Sequence, residues 1–480
     1  MITEQEGTFE VQVTEWSQGL SFSAAGRGVV SHAGAALLRL VGDRTGLTSE
    51  LSKALARSGF IPGHDRGRVF TDIAVTLADG GRTIGDIAVL RDQAELFGPV
   101  ASMPTAWRSL NEIGPGGLKR ISKGRAKARR RVWKLIEARH GGIPAAATCY
   151  GDLGDTVVIR LDASIVIAHS EKINAAPTFK KTYGFHPLTA WCDNTKEALA
   201  ITLRPGNAGS NTATDHIEII DEAIGQIPAK HRRRLLITID GAGASHAVVK
   251  HLTARNDRPG CQVHYSVGFA LDARVRSAIG KLPADAWEAA LGPDGKARTD
   301  AHVADLTGLL RHSAGGDQYK DWPAGMRLIA RREPISPGAQ PSLFEQINGH
   351  RFQVIATNTA GGQLQRLEAR HRVHARVEDR IRCAKDTGLV HMPSRDYSIN
   401  TAWCVAGAVA NDLLAWTQLL TLDGDLAKAE PKTLRYRLLH TAARITRGQR
   451  RRHLQIPETW PWAKDLAAAF TRAAAIPAPT

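Results

Sequence analysis

The sequence predicts an α/β protein, a mixed sheet flanked by helices, with a helical region before it and a basic helical tail after it. Three observations carry that expectation. Residues 156–240 hold four apolar or β-branched runs of strand length: TVVIRLDASIVIAH at 156–169, TYGFHPLTAWCD at 182–193, ALAITL at 198–203 and RLLITID at 234–240. On either side, 32–41, 47–56, 69–78 and 399–420 repeat with the 3.6-residue period of helices buried along one face. Finally, 43% of the 480 residues are hydrophobic, enough for a sizeable core divided among two to four units.

Taken in order, residues 8–25 alternate as a short strand or hairpin would, through Phe9, Val11 and Val13. The helical segments at 32–41 and 47–56 meet across Gly42-Asp43-Arg44-Thr45-Gly46, which suits a helix-turn-helix unit or a plain bundle equally. Helical patterns continue through 82–113, restarting at Pro104. The densest positive stretch, LKRISKGRAKARRRVWKLIEAR at 118–139, reads as a helix with Lys119, Arg120, Arg129, Arg130 and Arg131 spread over its surface. Such a helix either contacts nucleic-acid phosphates or serves as a solvated connector. Glycines at 114–117 and 141–142 bracket it as a hinge.

The first three strand runs look like an antiparallel meander. A loop at 204–209 and a helix at 215–227 lead to the fourth run, which ends in Asp240 and is followed by Gly241-Ala242-Gly243-Ala244-Ser245-His246. A dinucleotide fingerprint would need glycine where His246 stands, so that reading is weak. The other reading makes Asp240 a carboxylate at the carboxyl edge of a sheet, where open α/β sheets build their sites. Beyond it we expect a strand at 262–270, helical pieces at 271–280, 283–291 and 301–310, and strands at 327–332 and 351–357. Trp287 and Trp322 are either base-stacking residues or core anchors. The apolar helix at 399–420 should be buried against the sheet, and the tail at 428–453 is basic again.

Lys and Arg number 63 against 47 Asp and Glu, a net charge of +16 that points to a polyanionic partner. The five cysteines, Cys149, Cys192, Cys261, Cys383 and Cys404, are scattered, which argues for reduced thiols rather than a disulfide framework or zinc site. No apolar run approaches the ~20 residues of a membrane span, and the acidic N-terminus lacks a signal-like apolar core, so a cytoplasmic protein is expected.

One segment has chemistry of its own. EARHRVHARVEDRIRCAKDTG, 368–388, reads as one long helix on which His371, His374, Glu378 and Lys385 share an arc of roughly 60°. Val373, Val377, Ile381 and Ala384 form the adjoining apolar stripe, and Arg372, Arg376 and Arg380 face outward. Together with Asp162 in the first strand and Asp240 at the end of the fourth, Glu378 completes an all-oxygen set suited to hard cations such as Mg²⁺. A pair of such ions suits phosphodiester cleavage and rejoining.

These residues resemble the DDE transposases of bacterial insertion sequences, whose last catalytic helix carries Y-x2-R-x3-E-x6-K. His371-x2-His374-x3-Glu378-x6-Lys385 keeps that spacing, with His in place of Tyr and Arg. RLLITIDGAG around Asp240, the LRPGNAGSN loop at 203–211 and HPL at 186–188 extend the likeness. The resemblance implies an RNase H-like catalytic domain split by an insertion. The parts would be a helical DNA-binding region at 1–145, catalytic segments at 146–260 and 361–420, an insertion at 261–360, and a basic helical region at 421–480. It implies Asp162, Asp240 and Glu378 as catalytic metal ligands for two Mg²⁺ ions, with Mn²⁺ able to substitute. His371, His374, Lys385, Arg376, Lys119, Arg120, Arg129, Arg130, Arg131 and Trp287 would be the DNA contacts. The activity implied is hydrolysis at transposon-end inverted repeats followed by strand transfer into target DNA, by a homodimer on DNA in the bacterial cytoplasm at the nucleoid. Two alternatives stay open: a catalytically inactive, transposase-derived DNA-binding protein, and an RNase H-like nuclease or resolvase without strand transfer. Hairpin and non-hairpin pathways also stay open.

Overall fold

The computed structural model describes residues 20–479 apart from 23, 25, 169–170, 210–211, 242, 313–315, 336–345, 348 and 449–450. The strand or hairpin expected at 8–25 lies almost wholly outside the described residues. Helices α1 (Ala35–Arg44), α2 (Leu47–Leu55), α3 (Arg66–Ala78), α4 (Met103–Asn111) and α5 (Pro115–His140) come first. Then follow β1 (Val157–Ala163), β2 (Leu188–Cys192), β3 (Ala198–Thr202), α6 (Ala213–Gln226), β4 (Arg234–Ile239), α7 (His246–Asn256) and β5 (Gln262–Phe269). Strands β6 (Glu288–Leu291), β7 (Ala297–Asp305), β8 (Arg327–Pro334) and β9 (His350–Thr357) precede α8 (Leu364–Arg372), α9 (Arg376–Ala384) and α10 (Tyr397–Thr421). Strands β10 (Ala443–Gly448) and β11 (Arg451–Gln455) and helix α11 (Ala463–Ala475) end the chain.

Among the described residues one large mixed sheet runs in the order β6-β7-β8-β9-β5-β4-β1-β2-β3. The meander β1-β2-β3 is antiparallel, β4 pairs parallel to both β1 and β5, and β9 through β6 add antiparallel strands beyond β5. Parallel neighbours cannot be joined by a tight turn, and α6 and α7 supply the crossovers before β4 and β5.

Strand alternation sorts the two faces of the sheet. Val157, Ile159 and Leu161 of β1 and Leu235, Ile237 and Ile239 of β4 enter the main core, with Ile220 of α6 and Trp403 of α10. That core also takes in Leu37, Phe70 and Trp133 of the first helices, so the N-terminal helices and the sheet share one interior. The opposite face carries Arg160 and Asp162 on β1 and Thr238 on β4. Over it lie α8 and α9, joined by a 3-10 turn at Val373–Ala375 and ending in a π turn at Lys385–Leu389. The expected single helix is therefore tightened near its middle. Val377, Ile381 and Ala384 seat it against Trp191 and Phe185.

Three expectations need correction. The helical pieces expected at 283–291 and 301–310 are only partly helical, at Ala284–Ala286 and Thr307–Arg311, and their other halves are strands, β6 and β7, extending the sheet. Ala290, Ala301 and Val303 pack there against Ile329 and Ile355, and apolar runs this short do not distinguish strand from helix. The tail is not simply helical, since β10 and β11 form an antiparallel ribbon to which Val29–Val30 adds a third strand. Finally, Arg129 on α5 faces inward. Its guanidinium meets Glu197 at 2.7 Å and Asp412 at 2.6 Å, and Arg125 shares Asp412 at 2.8 Å, all four side chains being essentially buried. Trp133 and Trp416 donate their indole N–H groups to Glu197. With its donors turned into this network, Arg129 has no face to offer a phosphate.

Candidate active site

The site begins with strand register. Leu161 of β1 sits opposite Ile239 of β4, so the next residues, Asp162 and Asp240, emerge level with each other at the carboxyl ends of two parallel strands. The Ala163 N–H donates to Asp162 Oδ1 at 2.7 Å. After Asp240 the chain turns at once, with the Gly243 N–H donating to the Asp240 carbonyl at 3.0 Å. That turn lies tight against β5. A Cβ at Gly268 would meet Gly241 Cα at 2.4 Å, so only glycine allows the approach.

The helix is brought to the same place by its two histidines. His374 Nδ1 lies 2.9 Å from Thr238 Oγ1, and His371 Nδ1 lies 3.0 Å from Ser266 Oγ. Thr238 and Ser266 are register partners on β4 and β5, so the pair pins the helix across both strands. From Thr238 to Asp240 is two strand residues, about 6.7 Å. From His374 to Glu378 is four helical residues, about 6 Å. The anchor and the matching rises set Glu378 beside the aspartates.

Electrostatics agree with that convergence. Burial pushes the Asp162 carboxyl up to about 7, and the charges of Asp240 and Glu378 push in the same direction, against the Ala163 N–H and Lys180. Lys385 is half-buried. Burial and neighbouring Lys180 lower its pKa, while Asp162 opposes them. Two ammonium groups thus stand near Asp162. Two clefts meet at Asp240. One runs under the helix past His371, His374, Glu378, Arg331 and Gly268, and the other past Asp162, Phe179, His186, His216 and the 206–209 loop.

His371 and His374 were expected to face phosphates, and here the geometry differs. Burial first, then Arg160 and Arg370, bring His371 down to about 4. Burial, His371 and Arg160 hold His374 well below its ordinary value. Both rings are neutral at physiological pH and serve as struts between helix and sheet. Trp287 is also an anchor. It packs on Phe352 with ring centroids 6.0 Å apart, under the Arg332 guanidinium at 4.3 Å. Arg376 is half-exposed, with one N–H on the Ala147 carbonyl at 2.8 Å. Lys119, Arg120 and Arg130 lie exposed on α5, and Arg131 bonds the Pro477 carbonyl at 2.6 Å.

Sequence reasoning passed over Lys180 and Phe179. They precede the second strand run in a segment without periodicity, and no motif marks them. Phe179 is 69% exposed, an unusual position for a large apolar ring, and stacks near His186 at 5.6 Å. Burial keeps His186 and His216 below their ordinary values, while the charge of Asp240 reaches both. Arg204 fixes the adjoining loop by donating to the His186 carbonyl at 3.0 Å and pairing with Asp215 at 3.1 Å.

Residues 15–478 match the family described as transposase DDE domain group 1. No curated protein matches the chain. Among solved structures it is similar to the cryo-EM structure of the piggyBac transposase synaptic complex with hairpin DNA. That likeness has 9% identity and a TM-score of 0.38, and covers 87% of this chain and 82% of that chain. Because the family match runs almost end to end, through both strand aspartates and the helix glutamate, the chain belongs to the group 1 DDE-domain transposases.

Proposed function

We propose that the protein catalyses DNA cleavage at the ends of a bacterial insertion sequence and transfer of the freed strand into target DNA, with Asp162, Asp240 and Glu378 as the catalytic carboxylates of an RNase H-like domain. The observation that carries this is that the three carboxylates line two clefts sharing Asp240, near enough for Asp240 and Glu378 to act on the charge of Asp162, with Lys180 and Lys385 on the Asp162 side. The strand order, an antiparallel three-strand meander followed by two parallel strands, supports the RNase H-like assignment.

The donor set fits a hard divalent cation, because it is all oxygen and because, on top of burial, the negative charges of Asp240 and Glu378 raise Asp162 further. Asp162, Asp240 and Glu378 would hold two Mg²⁺ ions, which when bound activate the attacking oxygen and stabilise the leaving one. The chain itself orients the substrate. Lys385 and Lys180 attract the phosphate on the Asp162 side, and Arg376 and the exposed basic residues of α5 offer further backbone contacts. The histidine struts hold Glu378 against the sheet, so the third carboxylate need not be ordered when DNA arrives.

The inactive-derivative alternative rested on His371 and His374 replacing Tyr and Arg. As struts bonded to Thr238 and Ser266 they leave the carboxylates in place, which supports the active reading. DNA ends and a target duplex are the proposed partners, engaged by a homodimer. The test is cleavage and joining of a linear duplex carrying the element's own terminal repeats, in Mg²⁺, with strand transfer scored separately. Asp240→Asn should retain DNA binding and lose both reactions. Undiminished cutting by that variant would sink the proposal, and cutting without joining would favour the nuclease reading.

A further inference from the structure

A second cluster of ligand-type side chains lies outside these clefts, built from the two ends of the chain. His32 follows the Val29–Val30 strand, Asp79 caps the C-terminus of α3, and His440 lies just before β10. One ligand atom from each falls within 4.8 Å of the other two. His32 Nδ1 is 2.6 Å from Asp79 Oδ2, and His440 Nε2 is 3.4 Å from Asp79 Oδ1. The imidazole rings face each other at 4.2 Å. The Asp79 side chain is only 5% exposed; its Oδ1 makes no hydrogen bond beyond that 3.4 Å ion-pair approach, and His440 Nε2 also lies 2.8 Å from the Asp79 backbone carbonyl. Burying a carboxylate oxygen without a well-made hydrogen bond is costly, and here Oδ1 lies toward the His440 imidazole while Oδ2 meets that of His32. His32 also holds φ 51, a left-handed conformation that side-chain-bearing residues rarely adopt.

We propose that His32, Asp79 and His440 bind a divalent transition ion, zinc in the first place, as a clip joining the β10–β11 ribbon to the N-terminal helices. Two imidazole nitrogens and one carboxylate oxygen form a borderline donor set, unlike the all-oxygen trio at the clefts, and therefore select zinc over Mg²⁺. The partial exposure of His32 and His440 leaves a path for the ion and room for water as fourth ligand. The clip would cross-link residues more than 350 positions apart in sequence, a closure favourable because the unfolded chain does not hold them together.

The test is zinc titration of the full-length protein after chelator dialysis, in competition with a chromophoric chelator and in excess Mg²⁺, with Co²⁺ spectra reporting geometry. One equivalent of zinc should bind the wild type and the Asp240→Asn variant alike, and raise the melting temperature of both. His440→Gln and His32→Asn, the latter chosen because Asn tolerates the left-handed backbone, should each weaken binding at least about tenfold and lose that rise. Circular dichroism identifies a variant that fails to fold, in which case the other carries the test. The proposal is overturned if the wild type takes up no zinc, if uptake survives in a folded histidine variant, or if Asp240→Asn abolishes it. The last result would place the ion at the clefts.

Discussion

Helix α5 and the α8–α9 segment are both crowded with arginine, yet they direct their side chains in opposite ways. On α5 the arginines at 125 and 129 turn inward onto Asp412 and Glu197, while Lys119 and Arg130 stay in solvent. On α8–α9 the inward residues next to the site are His371 and His374, kept neutral by their surroundings, one turn from a buried Glu368 paired with Arg331 at 2.7 Å, and Glu378 is exposed. In α5 part of the positive charge holds the molecule together. In α8–α9 the buried Glu368–Arg331 pair fixes the start of the segment, and two neutral rings hold its middle, beside an exposed carboxylate. Charge composition therefore says little about which face a charge occupies.

The largest effect that would sharpen this contrast is in α5. Arg129→Ala leaves buried Glu197 without its cation and Asp412 with Arg125 alone and should destabilise the protein by about 3–5 kcal/mol, whereas exposed Arg130→Ala should stay within about 0.5 kcal/mol. Urea unfolding of both variants reads the difference, and equal costs would break the comparison. Next comes Glu378→Gln, which should leave folding and DNA binding intact and reduce cleavage by at least ~10²–10³-fold, the scale for losing one organised charged group. A cleavage rate within a few-fold of wild type would remove Glu378 from the site.

The struts should show a smaller, pH-dependent effect. His374→Ala leaves Thr238 without its partner and should cost about 1–3 kcal/mol, with a fall in kcat rather than in DNA affinity because Glu378 loses its support. Both histidines have folded pKa values below the unfolded value of about 6.5, so their neutral-state contribution is complete above that value. It is lost as pH falls toward the folded value, about 4 for His371. The urea midpoint should therefore drop between about pH 7.5 and about pH 5, and drop less in His371→Gln. A slope unchanged by that substitution would contradict the buried placement. The smallest effect belongs to Lys385→Ala. It should weaken DNA binding modestly and uniformly across sequences, reducing the salt slope by about 1, as measured by fluorescence anisotropy over a salt series.

Much of the architecture could be read from periodicity. Strands β3, β4 and β5 and helices α6 and α10 lie where their patterns placed them, within a few residues at each end, while β1 and β2 fill only part of the runs at 156–169 and 182–193, the remainder pairing in a separate small sheet. Strands β6 and β7 are not distinguishable from helix in the sequence, because short apolar runs fit either period and the β6–β7 pair is fixed in the sheet by β8, about twenty residues further on. Trp287 offered both a stacking and a packing reading, and only its place against Phe352 and Arg332 decided between them. No motif pointed to Phe179 and Lys180, whose place near Asp162 follows from a loop's path rather than a pattern.

From sequence alone the chain declared its central strands, its basic balance, and the candidates Asp162, Asp240 and Glu378, because a carboxylate at a strand's end or on a helix's polar face is a local matter of spacing. Tertiary structure decided the rest: that Arg129 is an internal ion-pair partner, that His371 and His374 are neutral struts, and that His32, Asp79 and His440 meet at all. The reason is that protonation and pairing depend on what surrounds a side chain in space. Those surroundings are assembled from β4, β5, α3 and the two chain ends, which only the folded molecule brings within a few ångströms of one another.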